Sequence, residues 1–241
     1  MNLKIAALAA VSICAPFLHA QSAQEILEGA RMAATLTKVE DGLSGNLTAK
    51  GKANVPVMLF LKGENIQFQF DENRTNDWRV FHMRLNDNAY DLFEIKDGKT
   101  TKFPDDKIVE SIAGTDLSYE DLALRFFYWP NPKLEGQEQV GNELCYKLRV
   151  DKPKGTAGRY ESVYIWVHTK YGAFMKIRGH DKEGHLLKEF QVEKVMPIGN
   201  GVWTLQKMQV SSYAPGSDKR VSITDVVFDA PKKAGPKGLK R

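Results

Sequence analysis

The sequence has 241 residues, 42% of them hydrophobic, and a formal net charge of +4. That length can bury a substantial single core, and no window beyond the first twenty residues approaches the roughly 18 consecutive apolar residues of a membrane helix. Lys4 supplies one unit of the charge and Lys232, Lys233, Lys237, Lys240 and Arg241 five. The body between is therefore at −2, without the basic, aromatic-interleaved face that nucleic acid requires.

Lys4, the apolar run 5–18 and Ala20 have the layout of a secretory signal, so residues 1–20 are expected to be removed on export. Either Ala20 or Ser22 serves as the last residue removed. Cys14 follows Ile13, where a lipobox takes a small residue, so a lipid anchor is not expected. Cys145 is then the single cysteine of the mature chain, which excludes an internal disulfide. Residues 231–241 are basic and rich in Pro and Gly, the composition of a solvated, disordered tail suited at most to anionic head groups. One domain over 21–230 remains.

Ser22 and Glu25 form a capping box, and Ile26, Leu27, Ala30, Ala33 and Leu36 continue at helical spacing, which predicts a first helix over 23–36. Gly42 and Gly45 break that pattern. Two-residue alternation then predicts strands at 47–52, 55–62, 65–70, 78–85 and 89–96, short-linked and therefore an antiparallel meander. Ile108, Val109 and Ile112 predict a short helix ended by Gly114. Residues 115–129 then pack Leu117, Leu122, Phe126, Phe127 and Trp129 into one helix-sized element, capped by Ser118 with Asp121 and stopped by Pro130 and Pro132. A hairpin edge at 138–150 and strands at 160–168, 174–180, 185–194, 202–212 and 220–228 complete the pattern. In 160–168, Val163, Ile165 and Val167 alternate with Tyr164 and Trp166, which predicts a strand covered on both faces.

Few residues suggest chemistry. His180, Asp181, Glu183 and His185 carry metal-capable groups, but across a turn, so a solvated hairpin tip is expected and no metal. Ser118, Glu120 and Asp121 lack the glycine elbow of a nucleophilic serine and read as a helix N-terminus. Cys145 reads as a small buried hydrophobe. Asp105 with Asp106, and Glu135 with Glu138, read as solvated carboxylates. No phosphate-binding glycine loop is present, so neither a cofactor nor a catalytic residue is expected and the chain reads as no enzyme. What remains is apolar surface: Phe60, Phe68, Phe70, Phe81, Met83, Leu122, Phe126, Phe127, Trp166 and Met175 are the residues expected to contact an apolar ligand, if the helix-sized element covers a cavity instead of a filled core.

The order of these elements resembles the LolA/LolB-type outer-membrane lipoprotein-sorting family, in its broader LolA-like branch. The resemblance rests on the export signal, the first helix, the meander, the run from Gly114, Thr115, Asp116 and Leu117 to Leu122, then Tyr164, Ile165 and Trp166, Asp181, Gly184 and Lys188, and Thr224, Asp225, Val226 and Phe228. It implies an α+β, mainly β fold: a curved antiparallel half-barrel of about ten or eleven strands with helices covering its concave face. It also implies a periplasmic, non-enzymatic carrier or sensor whose cavity takes lipid or lipoprotein acyl chains, with an envelope transporter or outer-membrane acceptor as partner. Arg31 and Arg125 are the candidates for that family's lid-locking arginine. The rival expectation is a protein-interaction module of the same fold, with an interior filled to under about 300 Å³.

Overall fold

The computed structural model describes residues 21–35, 39–62, 65–86, 89–199 and 202–230. The expected signal and the expected basic tail lie outside the described residues. The first helix, α1 (Ala23–Thr35), opens on the expected capping box. The Ser22 N–H donates to Glu25 Oε2 at 2.7 Å, and the Glu25 N–H donates to Ser22 Oγ at 3.2 Å. Ile26, Leu27 and Ala30 bury one face of the helix.

Thirteen strands follow: β1 (Val39–Ala49), β2 (Val55–Lys62), β3 (Asn65–Phe70), β4 (Arg79–Asn86), β5 (Ala89–Lys96), β6 (Lys99–Lys102), β7 (Lys133–Val140), β8 (Glu143–Asp151), β9 (Ser162–His168), β10 (Phe174–His180), β11 (Leu186–Gly199), β12 (Val202–Tyr213) and β13 (Arg220–Phe228). They form one antiparallel sheet in the order β6-β5-β4-β3-β2-β1-β13-β12-β11-β10-β9-β8-β7. Two meanders are thus joined where the first strand meets the last, with Leu47 opposite Val226. The sheet is curved and open, and among the described residues β6 and β7 are its edges.

About ten or eleven strands were expected, fewer than the thirteen observed among the described residues. All four residues of β6 are exposed, and most of β7 is as well, so these edges carry no apolar period to read. β1 also starts well before the expected residue 47, running through Gly42 and Gly45. Gly45 sits opposite Phe228, and a Cβ there would collide with the Val227 carbonyl oxygen. It marks a close approach of β1 to β13, not a break.

Leu47, Val57, Phe81, Leu148, Val163, Ile165, Ile177, Phe190, Val210 and Val226 are buried, and they share one face of the sheet by register. Ile26, Leu27 and Ala30 of α1 join the same apolar cluster. The opposite face of β9 is covered too, as its two apolar rows implied. Trp166 is buried there beneath cationic side chains: Lys176 Nζ stands 4.2 Å from its ring centroid, Lys147 Nζ 5.4 Å and Arg178 Cζ 5.7 Å. The cationic heads lie over the ring face, and the indole N–H donates to Glu138 Oε2 at 2.9 Å.

The helix-sized element at 115–129 is also broken. α2 (Tyr119–Ala123) has five residues, Leu124 turns left-handed at φ 42°, and a separate 3-10 turn spans Arg125–Tyr128. Ahead of it a single 3-10 turn, Asp105–Lys107, replaces the expected short helix, although Ile108 and Ile112 are buried as their spacing implied. Residues 103–129 therefore form a compact plug, not a helix. Tertiary contacts outweigh helical propensity along it.

Candidate functional site

Sheet and plug enclose a cavity of about 760 Å³. Leu47, Val57, Leu59, Phe68, Phe70 and Met83 line it from the first meander, and Ile177, Phe190, Val192, Leu205, Met208 and Val226 from the second. Leu117, Leu122 and Leu124 of the plug, with Ala33 and Ala34 of α1, complete the wall. Among the described residues the charged side chains of the lining are Asp121 and Glu143, beside His168.

Asp121 is fully committed. Its Oδ2 accepts the Ser118 N–H at 2.7 Å, the Ser118 hydroxyl at 2.7 Å and Lys188 Nζ at 2.5 Å. Its Oδ1 accepts the Tyr160 hydroxyl at 2.7 Å. The capping pair visible in the sequence is therefore also half of a buried ion pair whose two side chains are 0% and 4% exposed. Gly179 of β10 makes room for it, because a Cβ at that position would overlap the Tyr160 ring. Burial and the neighbouring carboxylates of Asp121 and Glu120 push the Tyr160 hydroxyl well above its usual range.

Two further clasps hold the plug. The Thr224 hydroxyl donates to Asp116 Oδ2 at 2.8 Å and accepts the Asp116 N–H at 2.9 Å, and Ser222 hydrogen-bonds Oδ1 of the same carboxylate. Glu120 accepts the Arg159 N–H at 2.9 Å and Arg159 Nε at 3.1 Å. Aromatic packing fixes both ends: Phe103 and Tyr119 lie 4.4 Å apart between centroids, both against Phe81, while Phe126 meets Tyr160 at 6.5 Å and Phe127 meets Phe174 at 5.9 Å. Arg79 Nη1 donates to the Tyr119 hydroxyl at 2.6 Å.

Burial, then repulsion from Asp121, raises the Glu120 carboxyl above its ordinary 4.5, with Arg159 opposing. The folded chain thus binds this proton more tightly than the unfolded chain does. Its contribution to stability is fully present below about pH 4.5 and is lost as pH rises through the folded value. Glu120→Gln removes that loss. The stability of E120Q relative to the natural chain is expected to climb with pH from about 4.5 upward, measured by urea unfolding across pH 4 to 8. A difference flat with pH refutes the assignment.

Of the ten residues expected to meet a ligand, Phe68, Phe70, Met83, Leu122 and Met175 line the cavity. Phe81, Phe126 and Phe127 are buried in the packing between plug and sheet. Phe60 and Trp166 alternate with the inward residues of β2 and β9 and are not part of the lining. Arg31 stacks at 4.8 Å over the Tyr128 ring, linking α1 to the plug, and Arg125 pairs with Asp105 at 3.4 Å. Asp181, Glu183 and His185 bring ligand-capable atoms within 4.8 Å of one another at the β10-β11 turn, where both Asp181 oxygens already bond His185.

Tyr160 and Arg159 were not among the expected site residues, and Lys188 was named only for the family resemblance. Lys188 carried a signal nonetheless, for it shares strand parity with Phe190 and Val192 and so points inward, where a cation needs a counter-ion. Leu205 and Met208 gave no separate signal, and Val226 was named only for the family resemblance.

Solved structures share this architecture. A DUF1329 family protein from Desulfovibrio piger ATCC 29098 superposes with a TM-score of 0.67 at 18% identity, over 86% of this chain and 90% of that one. A putative outer membrane lipoprotein-sorting protein domain from Vibrio parahaemolyticus gives 0.67 at 14% identity, over 86% and 89%. A LolA superfamily protein from Nitrosomonas europaea gives 0.62 at 17% identity, over 87% and 92%. A family model described as "-like: Uncharacterized protein" matches residues 80–234. The chain belongs to the family of that model, and its fold is the LolA-like fold of these structures. No curated protein matches the sequence. The span matched by the family model runs from β4 to just past β13 and so includes the whole plug and all three of its polar clasps.

Proposed function

We propose that this LolA-like protein is a non-enzymatic periplasmic carrier or sensor that holds an apolar ligand, lipid or lipoprotein acyl chains, in outer-membrane lipoprotein sorting or envelope lipid handling. The observation that carries the reading is the 760 Å³ apolar cavity. Its size falls in the range of ligand pockets and counts against an interior filled by the protein's own side chains. About ten methylenes buried in it are worth about 8 kcal/mol, enough to retain an acyl chain without a covalent bond.

In this reading α1 and the plug cover the concave face with different duties. The plug is the fixed floor, because three carboxylates clasp it to the sheet and to the segment before β9. α1, linked to the plug through Arg31 and Tyr128, is the element that yields when a ligand enters. Delipidated protein is expected to bind a fluorescent acyl probe saturably, and native mass spectrometry of protein taken from envelope extracts is expected to show retained lipid as added mass. Absence of saturable binding refutes the carrier.

A further inference from the structure

The cavity opens at one end of the sheet, and that end is unusually greasy on the outside. Tyr171 in the β9-β10 turn is 67% exposed, Trp203 and Val195 at the β11-β12 hairpin 59% and 48%, and Met32 near the end of α1 47%. Tyr171, Val195 and Trp203 also line the cavity, and Met32 directly precedes the lining residues Ala33 and Ala34. Exposed apolar groups gathered on one rim mark a contact surface.

The charges at this rim suit an anionic surface. Lys170 stands 5.1 Å from the Tyr171 ring centroid, and Lys194 is exposed beside Val195. The carboxylate of Glu143 is engaged by His168 at 3.0 Å, and Glu193 is paired with Lys207 at 2.8 Å. Strand directions add a longer-range argument. Val227 sits opposite Lys207, so β13 leaves the sheet at the end where Val202 and Trp203 begin β12. Lys232, Lys233, Lys237, Lys240 and Arg241 follow Phe228, itself part of the lining, within thirteen residues.

We infer that the open end of the cavity docks on an anionic lipid bilayer, with the Tyr171, Val195 and Trp203 rim at the interface and the lysines on head groups. Trp and Tyr suit that boundary because one end of each ring is apolar and the other polar, and lysine stems reach along apolar surface to the charged layer. A protein partner would leave these lysines to be matched one by one, whereas a bilayer answers all of them. The inference rests on the carrier reading, since a docked mouth would let an acyl chain pass between bilayer and cavity without crossing water.

The test is flotation of the full mature chain with vesicles of phosphatidylglycerol and phosphatidylethanolamine, alongside vesicles of phosphatidylcholine. The anionic vesicles are expected to carry more protein, and salt to weaken the association. Met32→Glu with Val202→Glu changes the rim outside the lining and is expected to lower the bound fraction at least about tenfold. Val221→Glu with Ser217→Glu places the same charge at the far end of the sheet and is expected to change it little. Ending the chain at Ala230 is expected to remove most of the salt dependence. Absence of vesicle association at low salt, or equal losses from the two Glu pairs, overturns docking. The acyl probe is titrated in parallel without vesicles, so a chain that binds probe but not vesicles refutes the docking surface and leaves the carrier standing.

Discussion

Lys188→Met is expected to destabilise the fold by about 3–5 kcal/mol, because it strands a fully buried carboxylate. Four donors converge on Asp121, and Lys188 is the only charged one among them. Removing it leaves the negative charge to two hydroxyls and one backbone N–H. For a chain of this size the melting midpoint should fall by about 10 °C or more. Replacing both partners, Lys188→Met with Asp121→Leu, should recover much of the loss, since the desolvation cost of the charges disappears with them. Urea unfolding of the two variants decides the matter. A single substitution costing under about 1 kcal/mol would mean that the ion pair does not hold the plug.

A charge placed inside the cavity should abolish ligand binding and spare the fold. Phe68 and Leu205 both line the cavity and are only half-buried, so a carboxylate at either position stays hydrated while the cavity is empty. Once an acyl chain fills the space, that carboxylate loses its water and gains no partner. Phe68→Glu and Leu205→Glu are each expected to weaken an acyl probe at least about a hundredfold, which is about 2.7 kcal/mol. Circular dichroism should remain that of the natural chain. Phe126→Glu provides the contrast, because that ring is 2% exposed between plug and sheet, and its replacement should unfold the protein. Unchanged probe affinity in both cavity variants would remove the ligand from this site.

Together these two expectations divide the interior into a part that holds the fold and a part left free. The first is polar and aromatic, crowded at the plug. The second is aliphatic and spread over both meanders. A helix moving as one rigid lid over the cavity is hard to reconcile with this division, because the segment from 103 to 129 is tied to β4, β5, β11 and β13 and to the chain just before β9. In the carrier proposal, motion on loading is assigned instead to α1, whose attachment to the plug includes the Arg31 stack on Tyr128.

The sequence by itself determined the local elements wherever one side of the chain meets oil and the other meets water. α1 and its capping box, the bounds of β2, β3, β5, β10 and β13, and the inward rows of Val, Leu and Ile were all written in periods of 3.6 and 2 residues. β6 and the start of β7 escaped because both of their faces are solvated, so no period distinguishes them from loop, whereas the end of β7 fell within the expected hairpin edge at 138–150. Position 124 escaped for another reason: nothing in a leucine announces a left-handed turn, which here is imposed by packing on either side. Only the tertiary structure decided that Asp121 meets Lys188 across 67 residues, that Phe68 borders empty space while Phe126 does not, and that Tyr171, Val195 and Trp203 share one rim. Hydrophobicity along a chain records how much apolar surface must leave water. Whether that surface closes on itself or leaves room for a guest depends on the curvature of the sheet and the seat of the plug, which long-range pairing alone sets.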